Sequence, residues 1–326
     1  MAIKKERKIP EVLVWSDINH YADDLASLVV LAYLADQNLI NIRGIITELG
    51  VYEVRRRRAM YAKGAMSYLG YPFIRTVPGG DYDILDEQEN HYIENELTPL
   101  FEKAGLTIHR SGTIFLQEYM KSVKDKNVYL LFNAPFTDFG KYLKVAAEAV
   151  QKKVKKIVIM GNVLPQKDDR GYYQPDLESF NFKYCPDFAK LLFDFIQDKN
   201  VRTTIIPSSV VKNLKMDYSC LDVIKNSKNP VVQQLLLLRD ETNPTTMAYD
   251  MVSALCLVDG VFKSVGGAIE KEEGFEKSVS FAKVIDPQMM RDKFCEIFRN
   301  KFETKKISID HLKCLKPKTG GEKDNA

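Results

Sequence analysis

What the chain lacks excludes several classes of protein. No apolar run in its 326 residues is long enough to cross a bilayer, so no membrane partner is expected. Residues 1–10 are basic but contain no apolar stretch of the kind that opens a secretory signal, so a cytoplasmic protein is expected. The five cysteines, Cys185, Cys220, Cys256, Cys295 and Cys314, are odd in number and never spaced as Cys-x-x-Cys. That argues against both a disulfide framework and a cysteine zinc site. Positive and negative side chains nearly cancel, leaving +3 scattered along the chain. A nucleic-acid polymer needs a concentrated basic face, so none is expected as partner. There is no Gly/Ser linker and no internal repeat. We therefore expect one domain over residues 1–315, with the polar residues 316–326 as a disordered tail. There is no phosphate-binding loop and no second Asp-x-Asp at a strand end, which disfavours a magnesium phosphohydrolase.

What is present is an alternation of short β-branched runs with longer amphipathic stretches. Strands are predicted at 11–16, 40–47, 73–77, 127–132, 156–160 and 203–206, and helices at 24–35, 54–69, 139–150 and 186–197. This order implies an α/β fold: an open, mostly parallel, Rossmann-like sheet flanked by helices. Ligands of such sheets bind beyond the carboxyl ends of the strands. Residues 80–95 are acidic and aromatic and read as a flap over such a site. The four arginines 55–58 occupy successive helix positions that point all round, so they form no single patch.

The sharpest chemical signal follows the first strand. Asp17, Asp23 and Asp24 fall within eight residues, at a strand-to-helix turn. Acids at a helix start are favoured by the helix dipole, which accounts for Asp23 or Asp24. It does not account for Asp17, at the end of an apolar strand. Three carboxylates brought together in a fold are costly unless a cation neutralises them. A hard, oxygen-seeking cation such as Ca²⁺ suits that donor set.

The segment Asp17-Ile18-Asn19-His20-Tyr21-Ala22-Asp23-Asp24 resembles the signature of the inosine–uridine-preferring nucleoside hydrolase family in its longer form, Asp-Thr-Asp-x5-Asp-Asp. Trp15 stands at the first acid. Further motifs follow in the family's order. Gly44-Ile45-Ile46-Thr47 resembles its second strand. Asn133-Ala134-Pro135-Phe136-Thr137-Asp138 resembles its Thr-Gly-Pro-Leu-Thr-Asn turn, and Ile157-Val158-Ile159-Met160-Gly161 its Val-Val-Ile-Met-Gly strand. Phe180-Asn181 and Tyr249-Asp250 resemble its later Phe-Asn and His-Asp or Trp-Asp segments. The resemblance implies the nucleoside-hydrolase fold and calcium-dependent hydrolysis of the N-glycosidic bond of a ribonucleoside-like small molecule. It also implies a homodimer or homotetramer. By the same resemblance, Asp17, Asp24 and Asp250 would hold Ca²⁺ with the backbone carbonyl of Asn133, and Asp17 would deprotonate the attacking water. Asp23 and Asn181 would bind the ribose hydroxyls, and Met160 would line the sugar.

Departures from the family pattern fall on the other half of the site. Val51 replaces an Asn or Asp near the ribose. Ser179 replaces the Glu that meets the sugar 5′-hydroxyl, with Glu178 beside it. Tyr173 lies near the position of a further 5′ contact. Tyr249 replaces a His that acts as leaving-group acid in some members, so Tyr249 or His20 becomes the candidate acid. These departures leave a second expectation open, a catalytically impaired homologue that still binds calcium and a ribosyl compound.

Overall fold

The computed structural model describes residues 8–18, 21–80, 111–212, 214, 216–239, 244–271 and 279–303. His20, most of the expected flap and the expected tail lie outside the described residues.

Ten strands and twelve helices are formed by the described residues. The strands are β1 (Glu11–Ser16), β2 (Asn41–Thr47), β3 (Arg75–Pro78), β4 (Val128–Phe132), β5 (Val154–Met160), β6 (Val163–Lys167), β7 (Tyr173–Pro175), β8 (Thr203–Ile206), β9 (Gly267–Glu270) and β10 (Val279–Val284). The helices are α1 (Ala22–Asp36), α2 (Tyr52–Tyr68), α3 (Gly112–Ser122), α4 (Thr137–Lys153), α5 (Phe180–Lys183), α6 (Pro186–Asp198), α7 (Ser208–Lys212), α8 (Ser219–Asp222), α9 (Pro230–Leu238), α10 (Pro244–Cys256), α11 (Asp259–Ser264) and α12 (Pro287–Phe302). No described helix is long and apolar enough to cross a membrane.

Eight strands form one sheet in the order β3-β2-β1-β4-β5-β8-β10-β9, with a separate hairpin of β6 and β7. Every neighbouring pair in the large sheet is parallel except β10 and β9. The chain winds outward from β1 to β3, then returns to β4 on the other side of β1 and winds the opposite way. That reversal, between β1 and β4, opens a crevice at the carboxyl ends of the two strands. The register aligns those ends, because Trp15 pairs with both Ile46 and Phe132.

The sheet is covered on both faces, which is why its strands read as continuous apolar runs. Alternation along β1 feeds two cores. Val12 and Val14 pack with α1, α2, α9, α10 and α12. Leu13 and Trp15 pack on the opposite face with α3, α4 and α6. Helix α1 is apolar nearly all round and buried along most of its length, as expected of a helix with other helices on every side. The sequence periodicity placed the central strands and helices correctly to within a few residues. It placed β3 two residues early, at Phe73, which is 92% exposed.

One strand carries a cation inward. Because β5 is covered on both faces, Lys156 is drawn into the interior at 1% exposure. Its ammonium donates to the Cys256 carbonyl at the end of α10 and to Asp259 Oδ1, 2.5 Å away, at the start of α11. Carbonyls at a helix C-terminus have no partner within their own helix, and a cation satisfies them. Burial nonetheless pushes the Lys156 pKa down to about 7, and the like charge of Arg202 acts in the same direction. Between pH 7 and the ordinary lysine value near 10, the unfolded chain therefore binds more protons at this residue than the folded one. Its contribution to stability rises with pH across that window and is least favourable below it. In urea denaturation, wild type should gain stability relative to Lys156→Met as pH is raised from 7 to 9.5. A constant difference would show that Lys156 stays charged throughout.

Candidate metal centre and ribosyl site

The site begins where β1 ends. Ser16, the last residue of the strand, donates from Oγ to Asp24 Oδ1 at 2.5 Å and accepts the Ile18 N–H at 3.2 Å. The strand end thereby fixes the rotamer of an acid on the next helix. Asp23 Oδ1 accepts the Asp24 N–H at 3.0 Å, so both acids sit in the first turn of α1, where the helix dipole favours negative charge. Asp17 and Asp24 are buried, at 6% and 4% exposure. Trp15, at the position of the family's first acid, faces the opposite core and packs against Phe132 and Phe139 at centroid distances of 4.7 and 5.7 Å. It belongs to the sheet interior and not to the crevice.

The crevice is completed from α10. Asp250 is buried, and one carboxylate oxygen each from Asp23, Asp24 and Asp250 lie within 4.8 Å of one another. Asp17 stands outside this triple but close enough for its charge to act on Asp250. Burial first, then the negative charges of Asp24, Asp23 and Asp17, hold the Asp250 pKa well above the usual carboxylate range. A calcium ion with oxygen ligands at 2.3–2.6 Å spans separations of this size and would relieve this repulsion. The donor set, all hard oxygen, fits such an ion.

Asn133 has a side-chain role that the family pattern does not give it. At the carboxyl end of β4, its Nδ2 donates to Ser27 Oγ of α1 at 3.2 Å. Its Oδ1 accepts from Ser253 Oγ of α10 at 2.6 Å, and Ser253 also donates to the Asp250 carbonyl at 2.7 Å. One amide therefore ties the turn after β4 to the two helices that carry the acids. Neither serine stood out in the sequence, where each is one small polar residue in an apolar helix.

The other expected residues are spread over the ends of several elements. Met160 ends β5, and Asn181 Nδ2 donates to its carbonyl at 3.4 Å. The close approach of α5 depends on Gly161, because a Cβ there would lie 2.4 Å from the Phe182 ring. Ser179 is buried and its Oγ accepts the Asn162 N–H at 2.9 Å, while Glu178 is exposed at the turn. Tyr173 is committed to the core, edge-on to Phe281 at 5.9 Å. Tyr249 is half-buried, and burial raises its phenol pKa, so it stays protonated at neutral pH. Val51 caps α2 without a side-chain hydrogen bond.

Sequence reasoning missed a second polar cluster beside the first. Glu48, after β2, and Asp138, in the first turn of α4, are both fully buried. Glu48 Oε1 accepts the Asp138 N–H at 3.3 Å. Asp138 Oδ2 accepts the Gly80 N–H at 2.8 Å, and its Oδ1 accepts from the Thr113 hydroxyl. Burial pushes Asp138 above the ordinary carboxylate range, against the pull of those donors and of the Arg55 charge. A Cβ on Gly80 or Gly112 would come within 2.8 or 2.6 Å of the Asp138 carboxylate, so this approach requires glycine at both positions. Arg55 and Arg58 are also fully buried, three positions apart on the inner face of α2, while Arg56 and Arg57 pair outward with Glu53. Arg58 donates to the Ile18 carbonyl at 3.4 Å, next to the acidic turn. Their spacing was the available signal: a run of four arginines sends two to one face.

No family profile matches this chain, and no curated protein matches it significantly. Solved structures do. The type III effector protein XopQ, solved with adenosine diphosphate ribose, superposes with a TM-score of 0.74 at 18% identity, over 91% of this chain and 95% of its own. The effector protein XOO4466 gives 0.76 at 18% identity over the same shares. An inosine–uridine-preferring nucleoside hydrolase from Bacillus anthracis gives 0.62 at 15% identity, over 90% of this chain and 99% of its own. The chain has the nucleoside-hydrolase fold. The β1/β4 crevice thus lies in a fold that this chain shares with hydrolases and effectors alike.

Asp138→Ala should lower the unfolding free energy by about 3 kcal/mol, because it strands the Gly80 N–H, the Thr113 hydroxyl and the buried Arg55 charge. Chemical denaturation measures this, and a loss below about 1 kcal/mol would mean that the cluster relaxes around the change.

Proposed function

We propose that this chain hydrolyses the N-glycosidic bond of a ribonucleoside or related N-ribosyl compound, using a calcium ion held by the buried aspartates. The observation that carries the reading is the convergence of Asp23, Asp24 and Asp250 oxygens within 4.8 Å in the crevice between β1 and β4, with Asp17 beside them. The fold supports it, and the adenosine diphosphate ribose bound by XopQ supports a ribosyl ligand.

In this reading Asp17, Asp24, Asp250 and the Asn133 carbonyl hold the ion, which supplies Lewis acidity and lowers the pKa of water. Asp17 accepts the proton of the attacking water. Asp23 and Asn181 hydrogen-bond the ribose hydroxyls and set the orientation of the anomeric carbon, with Met160 against the sugar. Ser179, whose oxygen accepts from the Asn162 backbone, keeps its own proton for the 5′ oxygen, with Glu178 beside it. The dense negative charge stabilises the oxocarbenium character that develops as the bond to the base breaks. Tyr249, protonated at neutral pH, donates to the departing base.

A second reading has support of its own. Trp15 is locked in the core at the position of an expected acid, so the chain could bind calcium and a ribosyl compound without turning it over. Ribose release from inosine, uridine and adenosine diphosphate ribose, measured with calcium and with chelator, separates the readings. Hydrolysis predicts chelator-sensitive release and a fall of roughly 10²–10⁴-fold in kcat for Asp17→Asn with the fold retained. Calcium at a hundred times its Kd should stabilise the protein by about 2.7 kcal/mol. That stabilisation without release from any substrate would favour the binder. Its absence in wild type would overturn both.

A further inference from the structure

The opposite end of the sheet holds a cavity that the ribosyl reading does not use. Its volume is about 510 Å³, within the range of roughly 300–1,000 Å³ typical of small-molecule sites. Asn200 and Arg202 enter it from the approach to β8, Asp259 and Lys263 from α11, and Lys271 from the end of β9. Ile269 and Ser280, the latter near the start of β10, also line it. From Lys156, which donates to the lining residue Asp259, to Met160, in the proposed ribosyl site, is about 13 Å along β5 at roughly 3.3 Å per residue. The two sites are therefore separate.

Among the described residues that line the cavity, cations outnumber carboxylates. Among the described lining residues the one carboxylate, Asp259, is already shared. One oxygen accepts from the buried Lys156, and the other pairs with the Arg202 guanidinium. Lys263 and Lys271 are exposed, and among the described residues neither pairs with a carboxylate. Among the described lining residues, three cationic side chains thus stand around one acid that is committed to two partners. A guanidinium and two ammoniums around a concavity match the geometry and charge of a phosphate group, and the Asn200 amide offers a further donor.

We propose that this cavity binds a phosphate-bearing small molecule of about mononucleotide size, independently of the ribosyl site. Lys263 and Lys271 supply the charge that Asp259 leaves uncompensated. Arg202, held in place by Asp259, supplies the directional donors.

The test is calorimetric titration of inorganic phosphate and AMP into the full chain, with chelator present so that no metal in the aspartate cluster can recruit them. The Lys263→Gln/Lys271→Gln double variant is titrated in parallel, and succinate serves as the carboxylate control. The proposal expects saturable binding of AMP or phosphate that weakens at least about tenfold in the double variant. Any ribose release should be unchanged in that variant without added phosphate compound. No saturable binding, equal affinity in the variant, or succinate binding as tightly as phosphate would each overturn it. Both substitutions are on exposed side chains, so loss of fold is not expected, and a thermal melt of the variant checks this directly.

Discussion

The arrangement of the carboxyl end of the sheet follows from one costly feature, four aspartates gathered around the start of a helix that is buried along most of its length. Two unit charges about 4.8 Å apart repel by on the order of 3 kcal/mol at an effective dielectric of 20. Several such pairs are a heavy load for a domain whose net stability is only about 5–15 kcal/mol. The neighbouring structure acts to hold that cluster in place. Ser16 fixes the Asp24 carboxylate, and Asn133 bolts the turn after β4 to both acid-bearing helices. Burial and mutual repulsion raise the affinity of Asp250 for a positive charge, whether a proton or a metal. The buried aspartates could therefore hold a metal ion.

A second polar group shares the load of shaping the crevice. Asp138 receives the Gly80 N–H and the Thr113 hydroxyl, so one carboxylate fastens the described residues on both sides of segment 81–110. Glu48 and Arg55 are buried around it. The contrast between the ends of the sheet is physical. Acids collect at the carboxyl ends of the strands, around the topological reversal. Around Asp259, near the amino end of β8, the described residues bring together Lys156, Arg202, Lys263 and Lys271.

At 15–18% identity the superpositions extend over nearly the whole chain. What such distant chains must share is the alternation that feeds two cores from each strand and the small or polar residues at a few turns. Here Gly161 admits the Phe182 ring, and Gly80 and Gly112 admit the Asp138 carboxylate. Most surface positions escape that demand, which explains how a fold persists where a sequence profile no longer registers.

The sequence by itself determined the parallel α/β architecture, because strands buried on both faces must read as apolar runs and crossover helices must separate them. It also exposed the acidic turn, since Asp17 at the end of an apolar strand has no ordinary local explanation. The edge strand β9, its neighbour β10, the β6–β7 hairpin and the short helices were not legible. They are brief, and their stability comes from what they pack against and not from periodicity. Only the tertiary structure decided that Asp250 joins Asp23 and Asp24, that Trp15 turns away from them, and that Asn133 works through its side chain. The same holds for Arg55 and Arg58, whose inward turn depends on buried groups that they meet across the fold. Local pattern records which face a residue takes, whereas a polar cluster is defined by partners tens or hundreds of residues away.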